Sequence, residues 1–217
     1  MLGRAAIAMW WDVPPEARAE WEDWHTHEHM PERLGIPGFL RGTRWCAHSG
    51  EPSYFVIYET KDVKTMTSGA YQERLNNPTP WSRKMMPHHR NMVRSLCRVR
   101  ASFGGGLGQA VATIRFSPPP RGGQSLTRRL AAEVLPELPG RKGLSSACLL
   151  ESEAPATAPQ TTEQKIRGGD AYADWILLVC GYDVDAVKSL AAELALPGAT
   201  VGLYRLTYSI TSKDLPK

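Results

Sequence analysis

Apolar stretches of strand length alternate with longer amphipathic stretches along the whole chain of 217 residues. In the first half the pattern predicts four strands and two helices: strands at 5–13, 39–47, 53–60 and 94–101, helices at about 15–30 and 62–75. The second half repeats the order: strands at 109–116, 144–151, 172–181 and 201–210, helices at 125–135 and 183–194. Each half therefore predicts a β-α-β-β-α-β unit, and we expect domains at 1–103 and 107–217.

A short motif supports the duplication. Segment 28–32 reads EHMPE, and segment 133–137 reads EVLPE, with Pro-Gly following both. This alignment places Val134 opposite His29, and all 6 histidines of the chain lie in the first half. If both positions served only packing, similar residues would be expected in both, so the pattern predicts a functional site in the first half and a structural role for the second.

Two segments have no counterpart in the other half. The offset between matched residues of the two halves changes along the chain. It indicates about 16 extra residues in the second half, which fit segment 154–169, and about 10 extra residues in the first half, within 77–90. Segment 154–169 is rich in Pro, Thr and Gln, and two interpretations stay open. It forms a lid whose Lys165 and Arg167 reach a ligand, or it is a disordered insertion.

A β-α-β-β-α-β unit carries both helices on one face of its sheet, so the other face needs a cover. Segment 175–180, WILLVC, is apolar at every position, as expected for a strand covered on both sides. We therefore predict an α+β protein of two tandem ferredoxin-like units whose sheets pack face to face. A pocket in the barrel-like interior between them is the natural ligand site.

Composition excludes several classes of protein. The net charge of +4 is spread among acidic residues without a basic run, which argues against nucleic acid as a partner. Cys46, Cys97, Cys148 and Cys180 are far apart and favour reduced, buried thiols. No 18-residue apolar run or signal-peptide pattern is present, so we expect a cytoplasmic protein without membrane contact.

The pattern 24–39, WHTHEHMPERLGIPGF, followed by NPTPW at 77–81, resembles the dimeric α/β-barrel superfamily of ferredoxin-like proteins, near its EthD-like members. Here two units are fused in one chain. The resemblance covers the first half well and the second mainly by topology. It implies a small-molecule ligand and is compatible with a homodimer. Because the superfamily includes cofactor-free cyclases, isomerases, decarboxylases and monooxygenases as well as haem enzymes, fold alone does not select a reaction.

His29 is the first candidate for proton transfer, since imidazole titrates near neutral pH. We place it at the carbonyl end of a helix that stops at Pro31, where the helix dipole would raise its pKa. His88 is the second candidate, preferred to His89 because it follows Pro87. As an anion anchor we consider Arg44 or Arg83; we assign Trp45 to the helix-covered face, so that Arg44 faces the barrel. The candidate substrate-binding set is Arg44, Arg83, Trp81, Tyr54, Trp24 and His25.

These residues favour a lyase, decarboxylase or isomerase that needs no cofactor and acts on a small aromatic or carbonyl-bearing metabolite, as in the catabolism of aromatic compounds. A binding protein without catalysis uses the same residues equally well. The segment His25-Thr26-His27-Glu28-His29 also matches the H-x-x-E-H motif of zinc peptidases, and His29, His88 or His89 could ligate haem. We expect neither metal nor haem, because Pro31 interrupts the helix and no C-x-x-C-H motif is present.

Overall fold

The computed structural model describes residues 1–48, 50, 52–153, 160–194 and 196–216. The strands are β1 (Ala5–Asp12), β2 (Phe39–Ala47), β3 (Tyr54–Thr60), β4 (Arg90–Gly104), β5 (Ala110–Phe116), β6 (Leu144–Ser152), β7 (Trp175–Gly181) and β8 (Thr200–Thr211). The α-helices are α1 (Arg18–Trp24), α2 (Met30–Leu34), α3 (Gly69–Asn76), α4 (Pro80–Met85), α5 (Gly123–Arg129), α6 (Thr162–Ile166) and α7 (Val184–Glu193). No helix of the described residues is long and apolar enough to cross a membrane.

The strands form one closed barrel in the order β1-β3-β2-β8-β5-β7-β6-β4. Each half contributes four antiparallel strands in the ferredoxin-like order, and the predicted α+β fold of two β-α-β-β-α-β units is confirmed. The two sheets do more than face each other, because β2 pairs with β8 and β4 pairs with β6. Hydrogen bonding between the halves therefore removes the sheet edges that each unit would expose alone.

The side chains of β1 alternate between two apolar cores. Ala6, Ala8 and Trp10 point into the barrel, whereas Ile7, Met9 and Trp11 lie under the helices of the first half. The barrel interior is packed with large side chains, including Trp10 stacked on Phe55 with ring centroids 4.9 Å apart. A void of about 30 Å³ remains beside Trp45 and Cys148. The expectation of a ligand pocket in this interior is therefore wrong, since it leaves room for about one water molecule.

The first helix does not end at Pro31, contrary to the prediction. α1 continues as a π-helical segment, His25–His29, and then as α2 to Leu34. Pro31 has no backbone N–H, so the usual bond to the fourth preceding carbonyl is missing there. Met30 N–H bonds instead to the carbonyl of His25, five residues back, and the helix widens by one residue without breaking.

The predicted helix at 62–75 is two elements. Asp62 caps a 3₁₀ turn, Val63–Thr67, and Ser68 then caps α3. Asp183 caps α7, which lies within the helix predicted at 183–194. In both halves the second helix closes the unit over its own sheet.

Candidate functional site

Three histidines meet in one cavity between the first sheet and its helices. The cavity, called here the histidine cavity, has a volume of about 30 Å³. Its walls are Met9, Trp11, His25, His29, Arg33, Tyr58, Tyr71, Leu75, Met86, His89, Met92, Arg94, Glu163 and Arg167. The first twelve belong to the first half, whereas Glu163 and Arg167 come from the second. The histidines thus converge, but outside the barrel and not within it.

The helix places His25, His29 and Arg33 on one face, because they follow one another at intervals of four residues. His25 and His29 begin and end the π-helical segment, and their ring centroids are 5.5 Å apart. His29 lies against the ring of Trp24, at 4.6 Å between centroids. This face presents two imidazoles and a guanidinium to the cavity.

His89 is held by Trp21, whose indole Nε1 donates to His89 Nε2 at 2.7 Å. Since Nε2 accepts, the neutral ring carries its proton on Nδ1, an assignment that follows from the hydrogen-bond network. Nδ1 is buried and has no hydrogen-bond partner among the described residues. Burial, aided by the positive charge of Arg167, lowers the pKa of His89 to about 3. His89 is therefore neutral at physiological pH.

His29 is neutral as well. Burial, followed by the charge of Arg33, holds its pKa well below the usual value. The expectation that a helix terminus raises this pKa is wrong, because the helix continues past His29 and the ring is buried beside cations. Within the part of the chain that the structure describes, His29 Nδ1 has no hydrogen-bond partner. A neutral imidazole with a free nitrogen can accept a proton at pH 7.

Ionic side chains from the second half complete the cavity. Glu163, on α6, forms an ion pair with Arg33. Arg167 binds Asp170 through two hydrogen bonds, at 2.7 and 2.8 Å. Segment 160–173 carries these residues across the first half, where Ala171 pairs with Val93 in a parallel β-bridge. Residues 160–169 are ordered over the cavity and bring Arg167 to it, whereas Lys165 is exposed and does not line it. Residues 154–159 lie outside the described residues.

Several buried donors around the cavity lack partners among the described residues. They are the indole Nε1 of Trp11, the hydroxyl of Tyr58 and one guanidinium nitrogen of Arg33. An unpaired buried donor costs about 1 to 3 kcal/mol. A ligand group that accepts hydrogen bonds would relieve that cost.

Arg44 lies on the helix-covered face, so its predicted orientation is wrong. Its guanidinium donates to the carbonyl of Glu22 and the hydroxyl of Thr26, both at 3.1 Å, and lies 3.5 Å from His25 Nδ1. Trp45 occupies the barrel interior instead. The barrel needs large apolar rings to fill it, whereas the helix layer offers polar partners for a guanidinium.

The other predicted residues divide into two groups. Trp24 and Tyr54 lie one layer behind the cavity: Trp24 packs on His29, and the Tyr54 hydroxyl donates to Glu22 Oε1 at 2.8 Å. Arg83 is exposed, and His88 and Trp81 are partly exposed, and none of the three lines the cavity. Of the two neighbouring histidines the structure brings His89, not His88, to the site, because the 3₁₀ turn Met86–His88 directs the chain into β4 there.

The H-x-x-E-H motif does not converge on a point in space. Glu28 Oε1 accepts hydrogen bonds from Trp24 Nε1 at 3.1 Å and from the hydroxyl of Thr79 at 2.5 Å, so the carboxylate anchors the helix to the α4 region. In the described ranges no three His, Cys, Asp or Glu side chains are grouped so that they could hold a metal ion. In the state that the structure describes, the cavity of about 30 Å³ holds a water-sized group and has no room for haem.

Sequence reasoning missed Arg33, Tyr58, Arg94 and Glu163 as site residues. The repeated spacing of four from His25 through His29 to Arg33 was a usable signal, because it indicates one helix face. Glu163 carried no such signal, since its approach to Arg33 depends on the path of a segment far away in sequence.

Comparisons with known proteins identify the fold. No family model matches the chain, and neither does any curated protein sequence. An anthrone oxidase-like protein is 10% identical at a TM-score of 0.64, covering 97% of this chain and 93% of its own. A candidate monooxygenase from Fusobacterium nucleatum is 10% identical at a TM-score of 0.61, covering 97% and 96%. A haem-binding protein from Thermus thermophilus is 9% identical at 0.53, covering 95% and 92%. The chain shares the overall fold of these three proteins over nearly its whole length, so the predicted fold is confirmed.

Proposed function

We propose that this chain is an enzyme that moves a proton on a small aromatic or carbonyl-bearing metabolite, with His29 as general base and no cofactor needed for that step. Return of the proton to a different carbon isomerises the substrate, and departure of a leaving group completes an elimination. In a decarboxylation, His29 moves the carboxyl proton to the carbon that loses CO₂. The observation that carries the proposal is the buried, neutral His29, whose Nδ1 has no partner in the described part of the chain and which lies on the cavity wall.

Three other features support the same chemistry. His89, neutral and with a free Nδ1–H, can donate a hydrogen bond to a carbonyl oxygen, as a neutral imidazole does when it polarises a substrate. Arg33 supplies positive charge where an enolate or phenolate would form. A bound anion would also raise the pKa of His29 towards neutrality and make it a better base. In this proposal His89 takes the second role that the sequence assigns to His88, and Arg33 the role assigned to Arg44 or Arg83.

The test is hydrogen exchange in D₂O on probe compounds with an acidic C–H beside a carbonyl, namely phenylpyruvate and anthrone, followed by NMR. We expect the protein to accelerate exchange on at least one probe, and His29→Ala to reduce the acceleration about 10² to 10⁴-fold, the usual contribution of a general base. His88→Ala is the matched control and should keep the wild-type rate. Full activity in His29→Ala would remove that residue from the mechanism, and binding of the probes without exchange would favour a carrier protein.

A second candidate is oxidation of the same deprotonated substrate by O₂. It is favoured by the descriptions of two proteins of this fold, one as anthrone oxidase-like and one as a candidate monooxygenase. The two candidates share the first step and differ in oxygen uptake. Consumption of O₂ with anthrone, measured with an oxygen electrode and lost in His29→Ala, would select the oxidase.

A further inference from the structure

The carboxylate of Glu163 reaches a site built by the other half of the chain. Its side chain and that of Arg33 are 3% and 2% exposed, and they form an ion pair on the cavity wall. The second carboxylate of this segment, Asp170, binds Arg167 instead. Glu163 is therefore the acidic side chain that faces Arg33 from segment 160–173.

The cavity is too small for a metabolite in this state. About 30 Å³ holds about one water molecule, whereas sites for organic ligands measure about 300 to 1,000 Å³. One wall must move when a ligand enters. The strands are fixed by the closed barrel, and the helix that carries His25 and His29 is held to the start of α4 by Glu28. By contrast, α6 has five residues, which is too short for a helix to be stable by itself. A hydrogen bond from the backbone N–H of Thr162 to Asn76 Oδ1, at 3.2 Å, holds it to α3.

Displacement of α6 would take the carboxylate of Glu163 away from Arg33. Arg33 would keep Glu32, whose Oε2 lies 3.5 Å from Nη1. The Nη2 side of the guanidinium, which Glu163 pairs with, would lose its anion, and this is destabilising unless another anion replaces it. The surroundings also favour an anion, because the unpartnered groups beside Arg33 include the donors Trp11 Nε1 and Tyr58 hydroxyl. Carboxylates bind arginine with two parallel hydrogen bonds, which suits this position.

We infer that the ligand of the histidine cavity is an aromatic carboxylate, whose carboxylate group takes the place of Glu163 on Arg33. The inference rests on the proposed function only in taking this cavity as the ligand site. The aromatic part is indicated by the rings of Trp11, Tyr58 and Tyr71 in the walls. Glu163 is thus a specificity residue from the second half, since a ligand without negative charge cannot replace it.

Calorimetric titration with benzoate and its neutral isostere benzamide tests the inference. In Glu163→Gln the competing charge is gone while the side chain keeps its shape, so we expect benzoate to bind at least about tenfold more tightly than to wild type, equivalent to about 1.4 kcal/mol. Benzamide affinity should change less than about twofold, which is under about 0.4 kcal/mol. Glu153→Gln is the control, because it neutralises a carboxylate of the second half that pairs with Arg98 and does not line the cavity.

An equal gain for benzoate in Glu153→Gln, an equal gain for benzamide, or no gain in Glu163→Gln would each overturn the inference. If Glu163→Gln does not fold, Glu163→Asp shortens the carboxylate and should give a smaller gain of the same sign. The two measurements are independent, because exchange on the probes reports proton transfer and the calorimetric titration reports the charge that faces Arg33. Absence of probe exchange by the wild-type protein would therefore reject the proposed function alone, and absence of a benzoate gain in Glu163→Gln would reject the inference alone.

Discussion

The two halves share a π-helical segment, but the side chains that they place on it differ. The π-helical segment His25–His29 in the first half has a counterpart, Leu130–Val134, in the second. In both, the residue after the segment bonds to a carbonyl five residues back, and a proline follows. The second copy has no histidine, so the wide turn follows from the proline and does not depend on the histidines. The side chains on the turn, not the turn itself, make the site.

Burial separates the halves as well. His29 is buried, whereas Val134 at the same place in the repeat is partly exposed. The difference comes from the two segments that break the repeat. One brings His89 to the cavity from the first half, and the other brings Glu163 and Arg167 from the second. The two segments that have no counterpart in the other half thus meet at the histidine cavity. A barrel of two identical halves would leave this cavity uncovered.

Exchanging residues at the start of the π segment should have the largest effect on stability. Leu130 is 1% exposed in an apolar core, so Leu130→His buries an imidazole without a partner and should cost roughly 2 to 4 kcal/mol. The reverse change, His25→Leu, removes a buried polar ring and should cost much less. Urea unfolding of both variants measures the difference. Equal losses would mean that the two positions are equivalent and that the comparison is wrong.

Acid should destabilise the first half through its neutral histidines. The pKa of His89 is about 3 in the folded chain, against 6.5 for a histidine free of the fold. The unfolded chain therefore binds the proton first as the pH falls. Stability should begin to fall near pH 6.5 and decline towards pH 3, with a loss of about 2 kcal/mol at pH 5 from this residue.

His89→Gln keeps an acceptor for the indole of Trp21. In this variant the fall in unfolding free energy between pH 7 and pH 5 should be smaller by about 2 kcal/mol than in wild type. Unfolding free energies at both pH values, for this variant and wild type, give the comparison. His88→Gln is the control, and it should leave the pH dependence unchanged because this side chain is partly exposed. A variant as acid-sensitive as wild type would show that His89 is not the group responsible.

The smallest effect is expected for Val134→His, which restores the histidine of the first half. Val134 is partly exposed, so the change in unfolding free energy should stay within about 0.5 kcal/mol. The new histidine has no cover and should keep an ordinary pKa, measurable by NMR titration. A strongly lowered value would mean that the π turn alone buries its last side chain.

The sequence was a good guide to elements and a poor guide to which face a residue occupies. Strand 39–47 has the predicted bounds, and the helix predicted at 183–194 is present as α7. The alternation at Arg44 and Trp45 correctly predicted opposite faces but not which faced the barrel, because period two is symmetric. Only closure of the barrel showed that its interior requires the indole and the helix layer the guanidinium.

Local pattern alone determined the duplicated β-α-β-β-α-β order and the concentration of histidines in one copy, because periodicity, caps and repeated motifs are properties of neighbouring residues. Tertiary structure decided that the cavity lies outside the barrel, that His89 and not His88 reaches it, and that Glu163 from the other half faces Arg33. Those outcomes depend on strand pairing and on segments that cross between the halves. Contacts between residues 130 positions apart cannot be read from the spacing of either one.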